Sequence, residues 1–155
     1  MYGRKEEMNH LKELYDSNRF EFLVMYGRRR VGKTTILQEF AGNTNSIFFP
    51  AREKNDALNL EDFSKMIQYH FDKNFIASFQ SWEDALNYIG AKVEQRTAVI
   101  IDEFPYIIEE NPSIKSILQH TIDHNWKNKN IFLILCGSSV SIMESDVMGR
   151  KSPLH

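Results

Sequence analysis

Four runs of this chain are apolar at successive positions instead of alternating: Phe22 to Tyr26, Ser46 to Pro50, Ala98 to Phe104 and Ile131 to Cys136. Rich in β-branched and aromatic residues, they read as strands, and an unbroken apolar strand needs cover on both of its faces. Helical patterns lie between them. Met8, Leu11, Leu14 and Tyr15 recur at helical spacing before the first run, and Thr35 to Ala41 follows it. Leu60, Phe63, Ile67 and Phe71 form an apolar stripe with Asn59 as its expected cap. Ser81 and Asp84 form a capping box ahead of Trp82, Ala85, Leu86 and Ile89. Pro112 stands where a first helical residue belongs, before Ile114, Ile117, Leu118 and Ile122. Strand and helix in alternation predict a three-layer α/β sandwich around a mainly parallel sheet of four strands.

Composition narrows the class. With 155 residues, 42% apolar and 26% charged, the chain reads as one domain over residues 1–155. A domain of that length buries roughly two thirds of its unfolded surface and needs no staples. The single Cys136 fits a reducing compartment. No apolar run approaches the roughly 18 residues of a membrane span, and Met1 to Glu7 carries charge where a signal peptide would be apolar. The resulting expectation is a cytoplasmic protein without membrane contact. A net charge of −2 argues against a surface built throughout to neutralise nucleic-acid phosphates. Charge is uneven, however: residues 1–33 balance at +3 and the remainder at −5, so the start of the chain is the place for an anion.

Gly27-Arg28-Arg29-Arg30-Val31-Gly32-Lys33-Thr34 matches the phosphate-binding pattern G-x-x-x-x-G-K-[ST] and lies between an expected strand and an expected helix. Its glycines let backbone N–H groups converge on phosphate oxygens, while the following helix points its positive end at the same anion. Lys33 is spaced to reach the terminal phosphates, and the Thr34 hydroxyl to ligate Mg²⁺. The bland reading is a glycine-containing strand-to-helix turn.

Ala98-Val99-Ile100-Ile101-Asp102-Glu103 is an apolar strand ending in two carboxylates, at the edge where parallel sheets place ligands. Asp102 is spaced for the metal shell. Side chains alternate along a strand, so Glu103 is expected to point elsewhere and polarise an attacking water; the bland alternative is a solvated acidic turn. Ile131 to Cys136 runs into Gly137-Ser138-Ser139, where Ser138 is a candidate to sense the γ-phosphate or orient the attacking water; the bland alternative is a turn with a helix cap from Ser139 or Ser141. Arg28, Arg29 and Arg30 read as solvated charge or as contacts to phosphate, nucleic acid or a neighbouring subunit. Arg4, expected just before the first helix, is a candidate to border an adenine. His120 and His124 lie four apart without a visible third ligand. Cys136 reads as inert packing with no nearby base, and Tyr69, Phe71, Phe75, Phe79 and Trp82 as core.

Tyr2-Gly3-Arg4 with Leu11, Tyr26 to Thr34, Ile100-Ile101-Asp102-Glu103-Phe104-Pro105-Tyr106, Leu135-Cys136-Gly137-Ser138-Ser139 and Ser152-Pro153-Leu154 together resemble archaeal and bacterial P-loop ATPases of the STAND and AAA-like branch. The resemblance covers nearly the whole chain. It implies ATP and Mg²⁺ at Gly27 to Thr35, metal coordination through Asp102, a water-activating Glu103 and a sensor at Ser138. It also implies a sheet in which the Ile131 strand separates the Ala98 strand from the first. Such proteins continue past Ser-Pro-Leu into Tyr-Gly-Arg-Arg and a fifth strand. Here His155 replaces the tyrosine, so the resemblance implies a truncated core without that strand and without the arginine that contacts the γ-phosphate.

Three functions compete. The first is a Mg²⁺-dependent ATPase that drives a conformational switch. The second is a nucleotide-binding module without effective hydrolysis, holding a protein or DNA partner; self-association is open in either case. The third is a small-molecule kinase, against which the Glu103 beside Asp102 favours water as acceptor. A guanine reader of the Asn-Lys-x-Asp type is missing, since Asn128-Lys129 continues as Asn130-Ile131.

Overall fold

The computed structural model describes residues 2–27, 32–138, 143 and 150–154. Helix α1 (Tyr2–Asp16) leads into β1 (Glu21–Gly27), α2 (Lys33–Gly42) and β2 (Ser46–Pro50). Helices α3 (Asp56–Asp72) and α4 (Trp82–Lys92) then precede β3 (Thr97–Asp102). Helices α5 (Pro105–Glu110) and α6 (Ile114–His124) and a 3₁₀ turn (Trp126–Asn128) precede β4 (Ile131–Gly137), and β5 (Arg150–Leu154) follows.

The sheet order is β2-β3-β4-β1-β5, with every pairing parallel. As the resemblance implied, β4 lies between β3 and β1. Parity along the strands separates the two faces. Leu23, Met25, Ala98, Ile100, Phe132, Ile134 and Cys136 pack under α1 and α2 through Leu11, Leu14, Ile36, Leu37 and Phe40. Val24, Tyr26, Val99, Ile101, Leu133 and Leu135 face α3 to α6. Every residue of β3 and β4 is buried, which is why those two runs lack alternation.

The four expected strands are present, and a fifth joins them. The expectation that the sheet lacks this strand is corrected: Leu23 to Gly27 of β1 pair with Arg150 to Leu154. Arg-Lys-Ser-Pro-Leu has no apolar run to announce a strand, but an edge strand needs none, and proline is tolerated there because one row of its donors is unpaired.

Smaller corrections follow from turn chemistry. The α3 cap is Asn55, whose side chain accepts from the Leu58 N–H, not Asn59. Asn59 is instead buried, accepting from the Arg52 N–H and donating to the Arg52 carbonyl, so it holds the loop after β2 in shape. Pro112 lies in the turn before α6, and the proline that starts a helix is Pro105 of α5. Strand β3 ends at Asp102, two residues short of the expected Phe104. Ser81 does cap α4, accepting from the Asp84 N–H. Tyr69 is exposed, unlike the buried Trp82.

At the sheet edge where β1, β3 and β4 begin, one arginine ties the elements together. The Arg96 guanidinium donates to the carbonyls of Leu14, Tyr15 and Arg19 and to Asn130 Oδ1. It thereby satisfies carbonyls at the C-terminal end of α1 that the helix leaves open.

Candidate functional site

Because all strands run the same way, their C-terminal ends share one edge, and the sequence-predicted site residues gather there. Gly32 immediately precedes α2 with φ 75° and ψ 23°. A Cβ built on it meets nothing within 4 Å, so the position favours glycine for its left-handed backbone, not for space. No side chain caps α2, which leaves first-turn N–H groups and the positive helix end directed at the site. Gly27 ends β1; Arg28, Arg29, Arg30 and Val31 lie outside the described residues. Helix α1 already begins at Tyr2, so Arg4 belongs to its first turn and does not precede it.

Lys33 is 2% exposed, and its Nζ lies 3.8 Å from Glu103 Oε1. The Thr34 hydroxyl donates to Asp102 Oδ2 at 2.9 Å. The Glu103 N–H donates to Asp102 Oδ1 at 2.9 Å, and the Ser138 hydroxyl donates to Glu103 Oε2 at 3.3 Å. Five side chains from the starts of α2 and the ends of β3 and β4 thus form one connected network.

Glu103 reaches that network by a route that strand alternation does not provide. The strand has ended, and Glu103 takes φ 55°, a left-handed conformation uncommon for a non-glycine residue and frequent where function requires it. The turn sets the Glu103 carboxylate toward Lys33 and Ser138, while the Asp102 carboxylate meets Thr34. Two further bonds hold it: the Phe104 N–H donates to the Cys136 carbonyl and the Tyr106 N–H to the Glu103 carbonyl. Gly137, between Cys136 and Ser138, lies against α5; a Cβ there would stand 2.6 Å from Pro105 Cδ and 2.9 Å from Met143 Sδ.

Cys136 is not remote from charge. Its thiol is fully buried, close enough to Asp102, Lys33 and Glu103 to feel their charges. Burial pushes the thiol well above its ordinary pKa, and the Asp102 charge adds to the rise. Spacing along the chain gives no sign of this neighbour, because β3 and β4 meet only in the folded sheet. His120 and His124 stack with ring centroids 4.3 Å apart, on the rim of a groove of about 460 Å³ that Phe22, Phe104 and Leu135 floor. Among the described residues no group of three or more His, Cys, Asp or Glu could hold a metal, and no helix is long and apolar enough to cross a membrane.

A parallel sheet with a glycine-led helix start, a buried lysine and a strand-end carboxylate at one edge defines the architecture of P-loop ATPases. The chain belongs to the family described as the ATPase domain predominantly from Archaea, whose profile matches residues 1–155. It is 36% identical over 152 residues to the uncharacterized protein MJECL04 of Methanocaldococcus jannaschii, covering 98% of this chain and 33% of that protein. A second relative from the same organism, the uncharacterized ATP-binding protein MJ0423, is 41% identical over 49 residues, covering 28% of this chain and 83% of that protein. The chain thus spans about a third of the longer relative. The fold is similar to that of the Walker-type ATPase PABY2304 of Pyrococcus abyssi, with a TM-score of 0.66 at 19% identity over 97% of this chain and 53% of that one. It is also similar to the ORC1 protein of Aeropyrum pernix, solved in complex with DNA, with a TM-score of 0.69 at 13% identity over 98% of this chain and 45% of that one.

Proposed function

We propose that this chain binds ATP with Mg²⁺ and hydrolyses it, and that the nucleotide state switches its contacts with a protein or DNA partner. The observation that carries the reading is the Lys33–Glu103–Ser138 network. A buried ammonium beside an uncapped helix start is a locus short of negative charge, and the carboxylate that compensates it is the one placed to act on water.

The donor set suits the ligand. Asp102 and Thr34 offer hard oxygens of the kind Mg²⁺ prefers, and the metal when bound neutralises charge on the terminal phosphates. The loop Gly27 to Gly32, with Arg28, Arg29, Arg30 and Val31, wraps the phosphates together with the Thr34 and Thr35 N–H groups; Arg4 borders the base. Lys33 pairs with the γ-phosphate and in doing so gives up its 3.8 Å contact to Glu103. The freed carboxylate orients a water and accepts its proton as the water oxygen attacks phosphorus and ADP leaves. Ser138, bonded to Glu103 before nucleotide arrives, turns to the γ-phosphate. Presence or absence of that phosphate therefore rearranges Lys33, Glu103 and Ser138 together, which makes the network a switch element. The wider family setting, a STAND or AAA-like branch protein with further regions, supplies the partner surface in this reading.

Lys33→Ala and Glu103→Gln test it by nucleotide titration and phosphate release. Lys33→Ala is expected to lose ATP binding. Glu103→Gln is expected to keep binding and lose turnover by roughly 10²–10⁴-fold. Turnover unchanged in Glu103→Gln would leave a binding module in place of an ATPase, and phosphate recovered on an added acceptor in place of water would make it a kinase.

A further inference from the structure

The residues after β2 extend the edge that carries Asp102 and Glu103. Strands β2 and β3 pair Pro50 with Asp102, and the ladder runs one step further, the Ala51 N–H donating to the Asp102 carbonyl at 2.9 Å. Arg52 comes next. Its backbone is bracketed by Asn59, which is 1% exposed: Oδ1 accepts from the Arg52 N–H at 3.2 Å and Nδ2 donates to the Arg52 carbonyl at 3.0 Å. The Lys54 N–H donates to that carbonyl as well, at 2.9 Å. A buried amide costs stability unless its hydrogen bonds are made; here they fix the point from which a surface side chain starts.

Parity gives the side on which it departs. Ile47, Phe49 and Ala51 belong to the core under α3 to α6, whereas Phe48 packs on the α1 and α2 face with Ala98 and Ile100. Alternation puts Asp102 on that second face, in agreement with its bond from Thr34 of α2, and carried past Ala51 it puts Arg52 there too. Toward the first face, Glu53 and Lys54 line a small hollow with Tyr106, Glu109 and Glu110, and Arg52 is not in its wall. Of the cations described at this edge, Lys33 faces Glu103 and Lys54 is paired with Asp62. Arg52 is exposed, and among the described residues no carboxylate pairs with it. Its backbone is held and its charge is uncompensated.

We propose that Arg52 is a γ-phosphate-binding residue: its guanidinium meets the terminal phosphate of ATP beside Asp102 and has no ligand partner when ADP is bound. A planar fork of donors suits a phosphate, and the charge on both sides strengthens the bonds. Lys33 serves that phosphate from α2 and Arg52 from the β2 side, so the two cations together tell ATP from ADP. The inference rests on reading the site as one for ATP.

The test measures affinities of the whole chain, with Mg²⁺, for ADP and for an ATP analogue whose β,γ-bridge is an imido group and resists hydrolysis. Arg52→Gln is expected to bind the analogue roughly tenfold more weakly and ADP as the wild type does. Arg52→Lys keeps the charge without the fork and is expected to fall between. Because the side chain is exposed, all three proteins are expected to melt alike. A second readout is the arginine Nε–H resonance that Arg52→Gln removes from the NMR spectrum; it is expected to shift with the analogue and to stay in place with ADP. An unchanged ratio of the two affinities in Arg52→Gln, or a resonance that answers both nucleotides equally, would overturn the inference while leaving the proposed function intact. A folded wild type that binds neither nucleotide would overturn both.

Discussion

Lys33 shows what a ligand site costs the empty protein. An ammonium 2% exposed, whose carboxylate partner Glu103 lies as far as 3.8 Å away, is incompletely compensated for its lost hydration. Lys33→Met keeps the stem and removes the charge. It is expected to leave the ligand-free protein as stable as wild type or up to about 1 kcal/mol more so, while abolishing the rise in Tm that ATP gives the wild type; thermal melts with and without nucleotide check both. Lys73, at the end of α3, has a different cost: φ 57° in a residue with a Cβ. Lys73→Gly is expected to stabilise by up to about 1 kcal/mol. The same change acts on His70, held below its ordinary pKa first by burial and second by the Lys73 charge. A His whose folded pKa is depressed binds its proton more readily unfolded, so stability falls as pH drops through the ordinary value toward the folded one. In Lys73→Gly the His70 resonance should titrate at higher pH than in wild type, without regaining the ordinary value because burial remains; an NMR titration reads it.

Among the elements, the junctions outweigh the spans. Gly137→Ala would drive a Cβ to 2.6 Å from the Pro105 ring, which cannot rotate away, and is expected to cost about 1–3 kcal/mol and to displace Ser138 from Glu103. Denaturant melts and Glu103-dependent turnover would fall together. Arg96→Lys is expected to cost at least about 2 kcal/mol, because one ammonium cannot replace a planar fork that serves three carbonyls and Asn130; chemical denaturation measures it. These junctions also mark where sequence reading stops. The spans of β1, β2 and β4 were legible within a residue or so from their short runs of β-branched and aromatic residues, although only β4 of the three is buried along its whole length. Helix α5 was not, being short and led by Pro105 while Pro112 looked the better start. Strand β5 was not, because pairing along one side of β1 asks nothing of its composition. Of the site, Gly32, Lys33, Thr34 and Asp102 were legible from local spacing. The αL turn at Glu103 and the Cys136 neighbour were invisible, because each depends on the meeting of β3 with β4.

For the molecule as a whole, the site is a link between its layers. Lys33 and Thr34 belong to a helix on one face of the sheet, and Asp102 and Ser138 to strand ends inside it, so ligand binding should stabilise the entire cooperative unit. At an ATP concentration about 100 times its Kd, mass action adds about 2.7 kcal/mol, which for a chain of this size is a rise in Tm of roughly 5–11 °C. Calorimetry at graded ATP is expected to show one transition moving as a unit; a transition that splits would mean that the site sits on a part that melts by itself. The sheet order also imposes a schedule. Strand β1 is made early, yet both of its neighbours, β4 and β5, are made only after β2 and β3. A nascent chain on the ribosome therefore carries its phosphate loop on a strand with two open sides until Ile131 to Gly137 emerge. Until that moment β1 is a hydrophobic strand without partners, open to chaperones and to other nascent chains. A chain whose synthesis stalls before β4 is expected to be protease-sensitive and to bind no nucleotide.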